Sequence, residues 1–223
     1  MKFLTVVREK GLDIKTLPLT LFYFLYKGGE EFMEFGTYPY ETDGTRRPVK
    51  WMVLKQENGK ALLLSAYGID GKPYNEEDKD VTWETCTLRK WLNEDFYYDT
   101  FTEEEKKRIC LTKAGNPDNP RYGTKGGNDT EDRVFLLSIG EAETLLPEKV
   151  KRRRTLTPYA RTELDYSWWS DWSWWWLRSP GDYLNVAADV NSDGGIDGSG
   201  RYVGSSNGAV CPALWIDLES GIE

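Results

Sequence analysis

DVNSDGGIDGSG, residues 189–200, can be read as a calcium loop or as a β-meander, and the choice fixes the architecture of the whole C-terminal quarter. Asp189, Asn191 and Asp193 occupy alternate positions, Gly194 stands sixth where such a loop turns sharply, and Ile196 follows. The twelfth position, which must supply a bidentate carboxylate, is Gly200, and Arg201-Tyr202-Val203-Gly204 does not continue as an amphipathic helix. A meander accounts for the same letters: strand over Ala187 to Asn191, turn at Ser192-Asp193-Gly194, strand over Gly195 to Asp197, turn at Gly198-Ser199-Gly200, strand over Arg201 to Val203. The meander is the better reading, and no metal ligands are assigned.

Composition extends the β reading outward. Lysine and glutamate supply 36 of the 223 residues, yet neither occurs from Leu164 to Leu218. Gly, Ser, Asp, Asn, Tyr and Trp stand there instead, the composition of tight turns between short strands. Six of the ten tryptophans fall in Trp168 to Trp176 (WWSDWSWWW). On a strand, alternation sends Trp174 and Trp176 to one face and Trp175 to the other, leaving one side free to bury while the other stays available. Trp175 and Trp176 read as core. Trp168, Trp169 and Trp172, flanked by Ser and Asp, suit a core or a binding surface equally.

Upstream, Val49 to Gln56 and Ala61 to Tyr67 are strand-like, and the Asn58-Gly59 between them signals a hairpin. Leu88, Trp91, Leu92 and Phe96 share one face at helical spacing, which predicts an amphipathic helix over Thr85 to Tyr98. Thr102 with Glu105, and Ser138 with Glu141, have the spacing of capping boxes, starting helices near Glu103 and Ile139. Acid–base neighbours such as Glu104 and Lys107 read as solvated faces. Gly115 to Asp132, rich in Gly, Asn, Asp and Pro, reads as a long surface loop.

A chain of 223 residues suits one core. The net charge of -8 opposes a role on nucleic-acid backbones, and the basic run Lys151 to Arg154 reads as a solvated loop rather than an anion site. With no histidine, triads and zinc hydrolysis lose their commonest component. Cys86, Cys110 and Cys211 are an odd number without paired spacing, so neither a disulfide framework nor a zinc site is written. The apolar stretch Leu17 to Tyr26 is too short to span a bilayer and reads as a short buried helix or strand. No clear targeting signal assigns a compartment.

Five blocks carry a resemblance: FGTYPY at 35–40, DVTWETCTLRKWLNEDFY at 80–97, GGNDTEDRVFLLSIGEAE at 126–143, WWLRSPG at 175–181 and PALWIDL at 212–218. They resemble a family of bacterial and phage proteins similar to the formylglycine-generating-enzyme-like branch of the C-type-lectin fold. Many of its members look like variable proteins of diversity-generating retroelements. The resemblance implies an α+β, C-type-lectin-like domain over 35–223, with two or three helices packed on small antiparallel sheets and a loop-rich ligand-display region at 164–218. Residues 1–34 fall outside it. In such systems a reverse transcriptase miscopies adenines, so that AAC codons vary, and their first two bases cannot mutate to give Lys, Glu, Gln, Met or Trp. None of those five occurs from Ser179 to Ala213.

By the same resemblance the variable, ligand-binding positions are Asp182, Tyr183, Leu184, Asn185, Asp189, Asn191, Asp197, Ser199, Arg201, Tyr202, Gly204 and Ser205. The fixed framework is Trp175 to Gly181, Ala187, Ala188, Val190, Val203 and Pro212 to Leu218. Cys211 stands where the family usually has Arg. The implied function is display of a binding face for a protein or surface-glycan ligand, without cofactor or catalysis, Tyr183, Tyr202 and Arg201 being its anchors. The competing readings are an oxidase like the formylglycine-generating enzymes, for which Cys211 is the lone C-terminal cysteine, and a fixed lectin-like module.

Overall fold

The computed structural model describes residues 25–27, 30–164 and 172–219. Its first sheet grows around the Asn58-Gly59 turn, where both residues take positive φ, 50° and 72°, as a two-residue hairpin requires. The strands are β1 (Leu25–Lys27), β2 (Glu30–Pro39), β3 (Arg46–Glu57), β4 (Lys60–Ser65) and, returning from the far end of the chain, β14 (Ala213–Asp217). They lie in the order β1-β2-β3-β4-β14, all antiparallel. Trp51, Leu63, Leu64, Leu214 and Ile216 from this sheet are fully buried.

The second sheet contains β5 (Asp70–Gly71), β10 (Trp175–Pro180), β11 (Val186–Val190), β12 (Ile196–Tyr202) and β13 (Ala209–Val210), in the order β12-β11-β10-β13-β5. Two ribbons flank the sheets: β6 (Thr112–Ala114) with β7 (Thr130–Asp132), and β8 (Arg154–Thr155) with β9 (Trp172–Ser173). The molecule is therefore α+β, as expected.

Helices begin where side chains can satisfy their first amides. Cys86 Sγ accepts from Arg89 N at the start of α1 (Thr87–Trp91), which runs through a π-helical turn, Leu92–Phe96, into α2 (Tyr97–Thr100). This element buries Leu88, Leu92 and Phe96. Both expected capping boxes are present, Thr102 with Glu105 on α3 (Glu103–Arg108) and Ser138 with Glu141 on α4 (Ile139–Leu145). The exposed Glu104–Lys107 pair, 2.8 Å apart, is solvated as expected. A 3-10 turn at Lys149–Arg152 and the Thr157-capped α5 (Pro158–Glu163) were not foreseen. No helix among the described residues is long and apolar enough to cross a membrane.

Three expectations are corrected. Trp174 is buried along with Trp175 and Trp176, so no tryptophan face of this run stays available. Trp174 and Trp176 meet edge to face at 4.7 Å, and the indole N–H groups of Trp175 and Trp176 reach Arg152 O and Lys72 O, both at 2.9 Å. Satisfied indoles are what allow so dense a cluster to enter the core. The basic run is not a solvated loop: Arg154 is buried, and Arg152 donates to Leu146 O and Gly194 O. The Gly115 to Asp132 segment is a loop as expected as far as Asp129, but it ends in β7 and sends Asn116, Asn119 and Asp132 into the interior. Trp172 is half-buried beneath the Arg153 guanidinium, 4.1 Å from its ring centre. Trp168, Trp169 and Leu17 to Phe24 lie outside the described residues.

Candidate functional site

The C-terminal meander is built from β10, β11 and β12, with tight turns between them. Residues 182–185 link β10 to β11, closed by Gly181 N donating to Val186 O at 2.8 Å. Asn191 to Gly195 links β11 to β12. Gly194 is required in that turn: its φ is +86°, and a Cβ would lie 1.9 Å from Lys149 O. What reads in sequence as a second turn, Gly198-Ser199-Gly200, is instead a bulge inside one continuous strand. Ala187 pairs with Arg201 but Asp189 pairs with Asp197, so β12 holds two residues more than β11 over that interval. Asp197 Oδ1 fixes the bulge by accepting from Ser199 N and Gly200 N, and Gly200 takes a φ of +83° against Ala187 O.

The outer side of this bulge is clasped by the 115–129 loop. Asn119, 2% exposed, donates through Nδ2 to Pro180 O, Gly181 O and Gly198 O at 2.8, 3.1 and 2.8 Å. Its Oδ1 accepts from Arg121 N and Tyr122 N. Thr124 Oγ1 adds a bond to Asp182 O. One amide thus joins the loop to the end of β10 and to the bulge of β12. Asn119→Ala leaves buried carbonyls without donors and is expected to cost about 2 kcal/mol in urea unfolding. A change within error of zero would mean that other contacts hold the loop.

Seven of the twelve expected positions, Asp182, Tyr183, Asn185, Ser199, Arg201, Tyr202 and Ser205, line one open concavity of about 690 Å³, together with Val186, Gly200 and Asn207. Tyr183 and Tyr202 are 69% and 62% exposed. The remaining five lie elsewhere. Leu184 accepts from Val81 N through its carbonyl, and Gly204 packs beside Asp78. Asp197 serves the bulge. Asp189 and Asn191 lie behind the concavity, where Asp189 Oδ2 accepts from Arg201 Nε at 3.2 Å and Asn191 Oδ1 from Arg201 Nη2 at 3.0 Å. The Arg201 guanidinium lies over the Trp174 ring at 4.5 Å, a cation–π contact.

Asp189 is wholly buried, and its Oδ1 has no hydrogen-bond partner among the described residues. Burial pushes its carboxyl up to about 6, against the opposing pull of Arg201. Asn207 was missed by the sequence reading, although it continues the same Ser-Ser-Asn-Gly turn. The three residues whose spacing suggested a calcium loop do not converge on one point: Asp189 and Asn191 face Arg201, and Asp193 faces Lys149.

The residues between these positions are packed into the core. Ala187, Ala188, Val190 and Val203 have no exposure, and all of β10 is buried. Burial pushes the Cys86 and Cys211 thiols up to about 12, so both stand neutral at pH 7. Cys211 Sγ faces Tyr67 O at 3.8 Å.

These features define an α+β domain with an open polar concavity supported on an aromatic core. Over residues 58–218 the chain matches the model of a domain of unknown function, DUF6273, and it belongs to that family. No curated protein and no solved structure matches it.

Proposed function

We propose that this chain is a ligand-binding display protein on a C-type-lectin-like fold, with the residues around the concavity diversified as in the variable proteins of diversity-generating retroelements. The observation carrying this reading is how the C-terminal sequence divides. Side chains at 182, 183, 185, 199, 201, 202 and 205 reach one concavity, while Ala187, Ala188, Val190 and Val203 between them are sealed in the core. Substitution at the first group, Arg201 apart, changes what the surface presents and leaves the framework alone, which is the requirement for tolerating diversity. Arg201 is the exception, because it holds the buried Asp189. An oxidase reading would need Cys211 as a thiolate, and its burial works against that.

Sequencing the DNA around the gene tests the proposal. The expected result is a near-copy of the codons for Ser179 to Ala213, differing only at adenines, beside a reverse-transcriptase gene. Its absence would return the region to a fixed lectin-like module.

A further inference from the structure

We infer that the concavity takes a neutral, hydroxyl-rich ligand, the terminal few sugar units of a surface glycan, with Tyr183 and Tyr202 as stacking walls and Arg201 as a donor at its base. This deepens the display reading and rests on it. Size is the first argument. Ten residues line the open concavity, a patch that a few sugar units can span. A volume of about 690 Å³ lies within the range of small-ligand sites.

Unused hydrogen-bonding capacity is the second argument. Among the described residues, the side chains of Asp182, Asn185, Ser205 and Asn207 make no hydrogen bond or ion pair, nor do the two tyrosine hydroxyls. Carboxylate, amide and hydroxyl groups around one hollow offer the mixed donors and acceptors that adjacent sugar hydroxyls match. The exposed tyrosines supply rigid apolar faces for the C–H side of a sugar ring.

Charge is the third argument, and it decides against an anionic ligand. Arg201 is already compensated by Asp189 and oriented by Asn191 and Trp174. Its Nη1 has no protein acceptor among the described residues and can donate to a neutral oxygen. Asp182 on the rim and Asp78 beside Gly204 add negative charge to the surroundings.

The test applies the full chain, fluorescently labelled, to a printed array of neutral, sialylated and sulfated oligosaccharides. The best neutral binder is then titrated calorimetrically against wild type, Tyr183→Ala and Tyr202→Ala. Neutral glycans are expected to bind, and each tyrosine variant to raise Kd by about three- to tenfold with an unchanged unfolding midpoint. A blank array, binding confined to sialylated or sulfated glycans, or an unchanged Kd in both variants would overturn the inference. The two readings fail separately. A blank array beside a template near-copy removes the glycan and keeps the display; glycan binding without a near-copy keeps the site and removes diversification.

Discussion

Arg178→Ala is expected to lower the unfolding free energy by about 3–5 kcal/mol, the cost of breaking a buried ion pair from one side. Arg178 is 3% exposed and sits at the centre of β10. Its guanidinium grips both oxygens of Glu141, the Oε1 contact with Nη2 being 2.9 Å. It also donates to Leu136 O at 2.7 Å and Gly115 O at 2.9 Å, and Nε faces Asn116 Oδ1 at 3.2 Å. Glu141 is at the same time the reciprocal member of the Ser138 capping box. One planar cation therefore joins the second sheet, the first turn of α4 and the root of the 115–129 loop.

Truncation leaves the carbonyls of Leu136, Gly115 and the Asn116 side chain without this donor and frees that loop at its base. Arg178→Lys keeps the charge but cannot reproduce the fork, so roughly half the loss should remain. Glu141→Gln, at a side chain that is itself 36% exposed and whose cap can still form, should cost less, about 1 kcal/mol. Urea unfolding of the three variants gives the ranking. If Arg178→Ala costs no more than Glu141→Gln, the carbonyl contacts are not what the arginine supplies.

The features legible in the sequence were those whose physics is local. Asn58-Gly59 needs only its own backbone freedom to make the β3–β4 hairpin, and Thr102 and Ser138 find their capping partners three residues away. The resemblance, not a local pattern, set Ala187, Ala188, Val190 and Val203 apart as framework, and all four are buried; it also placed Asp189 among the variable positions, and Asp189 is buried against Arg201. Residues whose partners are distant were not legible. Asn119 lies in a stretch whose composition says solvent, and only the fold brings Gly198, 79 residues away, to its amide. The basic run Lys151 to Arg154 gave the same false impression, since the Gly194 carbonyl that accepts from Arg152 and the core that encloses Arg154 come from other segments. Gly198-Ser199-Gly200 was misread for a different reason. Glycines serve bulges as readily as turns, and the pairing of β12 with β11 across both sides of the bulge makes it one strand.

Asp189 should make stability depend on pH in the direction opposite to ordinary paired carboxylates. Its folded pKa, pushed up to about 6 by burial, lies above the unfolded value of about 3.9. Between those values the folded state holds the proton more tightly, so stability rises as pH falls through 6 and the gain is complete near 4. Its ceiling is about 3 kcal/mol. Arg201 opposes the shift and Asp197 reinforces it, both from the neighbouring strand. Exposed carboxylates such as Asp118, Asp129 and Asp193, whose partners lower their pKa, respond with the opposite sign. The useful readout is therefore wild type minus Asp189→Asn in urea unfolding at pH 7 and pH 5. Asparagine imitates the protonated side chain, so the variant should match or exceed wild type at pH 7 and lose its advantage by pH 5. Parallel pH profiles would sink the argument. The same titration reaches the concavity: once Asp189 is neutral, the Arg201 charge is no longer balanced by it, and the proposed preference for neutral over acidic glycans should weaken below about pH 6.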